Sequence, residues 1–185
     1  MDKQELRQLL REKLAALTPE EAALNDTQIA SSFFTSQAFM PQTRIACYMP
    51  LKGEVSCKSI LQTLPKKGHI TCLPAVVARD TPLTFRQYRI GDELRRGMMG
   101  PLEPALDARD IIPDVIIIPM LGFTRGKYRL GYGSGFYDRT LEELRRLKSI
   151  KTIGLAYSLQ EIDHLPIEPH DIPLDMIITE KEIIA

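Results

Sequence analysis

The chain carries no net charge, since 24 Lys and Arg residues balance 24 Asp and Glu. A global attraction to nucleic acid or to an acidic membrane surface is therefore not expected, and only a local basic patch could supply one. No apolar run approaches the roughly 20 residues that a membrane-spanning helix needs. Cysteine is scarce: Cys47, Cys57 and Cys72 form no close C-x-x-C pair, so neither a disulfide framework nor a zinc site is indicated. Cys47 and Cys72 lie in apolar runs and read as small core residues. The opening Met1-Asp-Lys-Gln-Glu is charged and amphipathic, unlike a signal peptide. Internal repeats, low-complexity tracts and long linkers are also missing. These absences lead to an expected single domain over residues 1–185 in a reducing, cytoplasmic setting. A monomer is expected, with neither membrane nor nucleic acid as partner, because no segment is marked as an interface.

Two helices open the pattern. Leu6, Leu9, Leu10, Leu14 and Leu17 recur at helical spacing, while Lys3, Arg7 and Arg11 stack three cations on another face. Such a charged stripe is ordinarily a solvated face. Thr18-Pro-Glu-Glu21 restarts the chain with Thr18 as N-cap, Pro19 at the first helical position and Glu21 closing a capping box. The second helix should run to about Gln37.

From Thr43 onward strands alternate with helices. Strands are expected over Arg44–Pro50, Gly68–Pro74, Leu83–Tyr88 (antiparallel), Val115–Pro119 (central), Lys151–Tyr157 and Asp175–Thr179. A helix capped by Ser56 should reach about Leu64, and another should span Phe136–Leu147. Residues 91–113, rich in Gly, Pro and charge, read mostly as loop. Pro50, Pro74 and Pro119 turn the chain at strand C-terminal ends, which is where open α/β sheets bind ligands. The fold class is α/β: a three-layer sandwich with a mostly parallel central sheet, Rossmann-like, with the N-terminal helices packed on the sheet.

The most informative segment is Arg129-Leu-Gly-Tyr-Gly-Ser-Gly-Phe-Tyr-Asp-Arg139. Its alternating glycines let the backbone approach a ligand closely, and a strand upstream with a helix downstream aims free N–H groups at an anion. It is neither a G-x-G-x-x-G fingerprint nor a Walker A loop. It also lacks the outer glycines of a G-x-S-x-G elbow. Backbone N–H groups can hold phosphate, an arginine can add a charge-assisted contact, and Asp138 can carry a divalent metal. Asp171, beside His170, can join Asp138 around one magnesium ion. The spacing of His164, His170 and Asp171 matches no zinc motif. Glu54, just past the first strand, reads on its own as a solvated loop residue whose position alone draws notice.

Together with Pro119-Met-Leu-Gly-Phe123, that segment resembles the signature of the 5-formyltetrahydrofolate cyclo-ligase (methenyltetrahydrofolate synthetase) family. Shorter similarities follow in order along nearly the whole chain. They are Lys3 and Arg7, Tyr48-Met-Pro-Leu-Lys-Gly-Glu54, Gly100-Pro-Leu-Glu-Pro104, Gln160, and Leu165 through Asp171 to Asp175. The family commonly has Phe-Asp-x-x-Gly-x-Arg before the glycine loop. Here Phe123-Thr-Arg-Gly-Lys-Tyr-Arg129 puts Thr124 in place of the aspartate, places the glycine one position early, and adds Arg125 and Lys127. Phe136 replaces the commoner tyrosine.

The resemblance implies an ATP- and magnesium-dependent closure of 5-formyltetrahydrofolate to 5,10-methenyltetrahydrofolate through a phosphorylated formyl group. It implies that Lys3, Arg7 and the loop Arg129, Leu130, Gly131, Tyr132, Gly133, Ser134, Gly135, Phe136 and Tyr137 hold ATP. Arg129 and Tyr137 would be catalytic, with magnesium on Asp138 and Asp171. Glu54 would hold the folate's polar head, and Met49, Tyr132 and Phe136 would line its ring site. Two other readings stay open from the residues: a relative acting on a different formamide or carboxylate, and a nucleotide- or RNA-binding module using Arg125, Lys127, Arg129 and Arg139.

Overall fold

The structure is a computed structural model that describes residues 1–37, 39–168 and 171–185. Helix α1 (Lys3–Ala15) starts from Asp2, whose carboxylate accepts from the N–H groups of Gln4 and Glu5 while Glu5 reaches back to the Asp2 N–H. Helix α2 (Pro19–Ser36) starts as its sequence dictates: Thr18 and Glu21 form the reciprocal capping box and Pro19 occupies the first turn. Strand β1 (Arg44–Ala46) follows, then α3 (Lys58–Thr63) and β2 (Ile70–Ala75). Ser56 is not the cap of α3; Cys57 holds that position, with no side-chain capping bond. A cysteine in an apolar pocket is stabilised there by burial instead.

Next come β3 (Thr84–Gln87), β4 (Leu94–Arg96), β5 (Leu102–Pro104), β6 (Val115–Pro119), β7 (Gly122–Phe123) and β8 (Arg129–Leu130). The chain ends with α4 (Phe136–Leu147), β9 (Lys151–Leu155), β10 (Met176–Ile178) and β11 (Ile183–Ile184). Seven strands form one sheet in the order β11-β10-β9-β6-β1-β2-β3. The five inner strands are parallel, and β3 and β11 close the two edges antiparallel.

Side chains alternate across this sheet. Ile45, Leu73, Val115, Ile117, Ile153 and Leu155 face α2 and α3 through Ile29, Phe33, Ile60 and Leu61. Ala46, Cys72, Ile116, Ile118 and Ile177 face α4 through Leu141 and Leu144. The inner strands are therefore apolar on both faces, as a covered parallel sheet requires. Helix α1 sends Leu14 into the first of these layers, but Leu6 and Leu10 pack on Leu130 and Leu165. Its cationic end is thereby held over the C-terminal ends of the strands.

Two small ribbons, β4–β5 and β7–β8, were not expected from the sequence. The first lies within residues 91–113, which are otherwise mostly loop as read from the sequence. Glu103 crosses from β5 so that its Oε1 accepts the Val76 N–H at 2.9 Å, which pins the ribbon beside the end of β2. A Cβ at Gly97 would stand 2.1 Å from that oxygen, so glycine is what lets the glutamate pass. In the second ribbon Lys127 has φ 64 in the turn. This is the place where the family's pattern carries glycine, and the left-handed backbone gives the reason.

Candidate active site

From β1 the chain runs to β2 on one side; later it returns to β6 on the other. The strand order therefore reverses between β1 and β6, and a crevice opens at their C-terminal ends. A cavity of about 440 Å³ lies there. The segment after β1 supplies Tyr48, Met49, Leu51 and Glu54, and the end of β2 supplies Pro74 and Val76. The segment after β6 supplies the whole stretch from Arg129 to Asp138. Helix α1 supplies Lys3 and Arg7, and Asp171 enters from the C-terminal run. Every residue that the resemblance assigns to ATP, folate or metal thus lines one space, whereas Arg11, Arg125, Lys127, Arg139 and His164 do not. His170 lies outside the described residues.

The glycine loop is shaped by its arginines. The Arg7 Nε–H donates to the Gly131 carbonyl at 2.8 Å, and its guanidinium lies under Gly133, whose φ is +105°. Arg139 donates to the Ser134 carbonyl at 2.7 Å and stacks over the Phe136 ring at 5.3 Å. Gly135, at φ 65, is the N-cap of α4 and offers no side chain to its first turn. The leading N–H groups of α4 therefore lie uncapped at the cavity wall, which is the geometry that binds anions.

Arg129 is only 5% exposed; it pairs with Asp138 and donates to the Ile172 carbonyl at 3.0 Å. Lys3 Nζ meets Asp171 at 2.8 Å and Glu168 at 2.5 Å, and these partners hold its ammonium above the ordinary lysine range against the opposing effect of burial. Among the described residues no three His, Cys, Asp or Glu side chains gather as a metal cage. Asp138 and Asp171 instead each face a cation on the cavity wall. Such a sparse carboxylate set suits magnesium, which commonly takes one or two carboxylates and leaves its other positions to phosphate and water.

The opposite wall is apolar and nearly closed. Glu54 is 9% exposed, and its Oε2 accepts the Leu51 N–H at 2.7 Å. Burial pushes its carboxyl above the usual range, more strongly than that hydrogen bond and the neighbouring Tyr132 pull it back. The Tyr132 hydroxyl is buried without meeting hydrogen-bond geometry to any group, although it lies close enough to the Glu54 carboxylate for each to shift the other's titration. Burial, and then the Glu54 charge, push the phenols of Tyr132 and Tyr137 well above the ordinary tyrosine value. Tyr48 lies beneath, its hydroxyl donating to the Val55 carbonyl at 2.7 Å.

Sequence reasoning missed the third wall, made by Met99, Pro101, Leu102 and Glu103 of the β4–β5 ribbon. The short Glu-Pro element was visible, but nothing local shows that it folds over a cleft. The proposed basic patch is dispersed. Arg125 pairs with Glu161 and Glu182 at 2.7 Å each, Arg129 is buried against Asp138, and Arg139 is bound to the loop backbone.

Comparisons with known proteins agree on one family. The 5-formyltetrahydrofolate cyclo-ligase family model matches residues 1–180. A relative of that name from Escherichia coli is 31% identical over 180 residues, covering 95% of this chain and 98% of the relative. One from Haemophilus influenzae is 32% identical over 170 residues, covering 89% of each. The solved 5,10-methenyltetrahydrofolate synthetase of Mycoplasma pneumoniae superposes with a TM-score of 0.78 at 30% identity, over 97% of this chain and 99% of that one. That of Aquifex aeolicus gives 0.81 at 30% identity, over 99% and 92%.

Proposed function

Because this chain belongs to the 5-formyltetrahydrofolate cyclo-ligase family, we propose that it closes 5-formyltetrahydrofolate to 5,10-methenyltetrahydrofolate, consuming ATP and releasing ADP and phosphate. The observation that carries this reading is that one cavity joins a phosphate-type wall to an apolar wall with one buried carboxylate. An amide oxygen is a poor leaving group, and phosphorylation makes it a good one. The formyl oxygen attacks the γ-phosphorus of ATP and ADP departs. N10 of the folate then bonds to the formyl carbon, and phosphate leaves with the C–O electron pair.

The chain's work is positioning and charge stabilisation. The glycine loop and the first N–H groups of α4 hold the phosphates, with Lys3 and Arg7 adding positive charge. Arg129, fixed by Asp138 and the Ile172 carbonyl, faces the transferring group beside Tyr137. Asp138 and Asp171 would hold magnesium, which would neutralise phosphate charge. Met49, Tyr132 and Phe136 flank the folate ring, and Glu54 holds its polar part. Three free, buried thiols fit a reducing cytoplasmic setting. We take the working unit to be a monomer of one domain.

The test is near-ultraviolet absorbance, where the conjugated methenyl product absorbs. Mixing the protein with 5-formyltetrahydrofolate and Mg-ATP should give an ATP-dependent rise, strongly reduced by Arg129→Ala and by Asp138→Asn. ATP binding without a rise would move the acceptor to another formamide or carboxylate.

A further inference from the structure

The overall reaction has a proton to place. The substrate carries N10–H and the product does not, so one proton must leave N10 as the new N10–C bond forms. Phosphate departs on the oxygen side of the carbon, so a protein base beside N10 offers an acceptor that stays in place as phosphate leaves. The cavity holds one carboxylate that is not paired with a cation. Glu54 has Oε2 fixed by the Leu51 N–H, while no described donor reaches Oε1. Asp138, Asp171 and Glu103 differ from it, since each faces Arg129, Lys3 or Arg95.

We propose that Glu54 is the proton acceptor of ring closure, taking the N10 proton on its open oxygen while Tyr132 stands beside it. The inference rests on the function proposed above and assigns this glutamate a chemical step in addition to binding. The electron count closes. The N10 lone pair forms the bond to the formyl carbon and the N10–H pair returns to nitrogen. The proton goes to Glu54, and the C–O pair leaves with phosphate. The acceptor ends neutral, which suits a group whose surroundings disfavour its charge. Titratable neighbours are Tyr132 and Tyr137 from the loop and α4, and Tyr48 from the end of β1. Arg11 of α1 acts on Tyr132.

Glu54→Gln keeps the shape and can still accept from Leu51, but it cannot take a proton. Its kcat should fall about 100-fold or more, well beyond any change in KM, the usual scale for a lost general base. The acid limb of the kcat profile should vanish in this variant and persist in Glu54→Asp at lower rate. In a single turnover Glu54→Gln should still release ADP in a burst dependent on 5-formyltetrahydrofolate, with methenyl absorbance lagging behind. A rise in KM at unchanged kcat, or an acid limb retained in Glu54→Gln, would overturn the assignment and leave Glu54 a binding residue. Failure of the functional reading itself looks different, because the wild-type protein would then give no methenyl absorbance at all.

Discussion

Asp114 and Glu54 sit at opposite ends of the same two neighbouring strands, and their surroundings have nothing in common. Asp114 lies where β1 and β6 begin. It accepts from the Arg44 backbone and side chain at 2.8–3.0 Å and also pairs with Lys148. Those partners hold its carboxyl far below the usual range. Glu54 lies past the end of β1, with one N–H for company and apolar walls, and its carboxyl is pushed up. One end of the sheet satisfies its charge, and the hollow beside Lys148 there is lined by none of the residues that the resemblance assigns to ATP, folate or metal. The other leaves a carboxylate under-solvated beside an open space, as functional carboxylates commonly are.

The comparison breaks most sharply at Arg129, the satisfied cation of the unsatisfied end. Arg129→Ala should cut turnover by about 10²–10³, the scale of a lost transition-state donor, with helix content by circular dichroism kept. Gly133→Ala comes next. Its φ of +105° is strained for any side chain, although the added methyl would meet Arg7 only at ordinary contact distance. Turnover should fall roughly tenfold through a displaced loop, with a matching loss of ATP affinity by calorimetry.

The two carboxylates should then show opposite pH linkage. The lowered carboxyl of Asp114 stabilises the fold above the unfolded-state value and loses that contribution as pH falls through the folded one. Asp114→Asn should therefore cost about 1–3 kcal/mol at neutral pH and nothing in strong acid, with activity within about twofold. The raised carboxyl of Glu54 works the other way: its contribution is complete in acid and is lost as pH rises through the folded value. Glu54→Gln should melt at a higher temperature than wild type at neutral pH while being nearly inactive. A melting series across pH checks both. The smallest effect belongs to Lys127→Gly, which relieves a left-handed φ and should stabilise by about 0.5–1 kcal/mol in urea titration, with turnover unchanged.

The two ends were also unequally legible in the sequence. The glycine loop announced itself because its special backbone lies in consecutive residues, which leaves a contiguous motif. The parallel strands showed as apolar runs because both faces are covered. Nothing local predicted that Arg129 would be buried against Asp138 or that Lys3 would meet Asp171, since these pairs join segments through the fold. Strands β4, β5, β7, β8 and β11 are two or three residues long, too short to show a period. The β4–β5 ribbon is held by a reach from Glu103 through the gap at Gly97, and that contact has no signature in either segment.

The bond between Lys3 and Asp171 spans 168 residues of chain. A ribosome therefore makes one half of this contact long before the other. Helix α1 can form early, but its leucines find Leu130 and Leu165 only late, and its lysine finds its carboxylate later still. A nascent or C-terminally shortened chain would carry the glycine loop without a finished wall around it. Nucleotide capture would then be a property acquired near the close of synthesis, and protease resistance conferred by ATP should appear only in chains long enough to include Asp171.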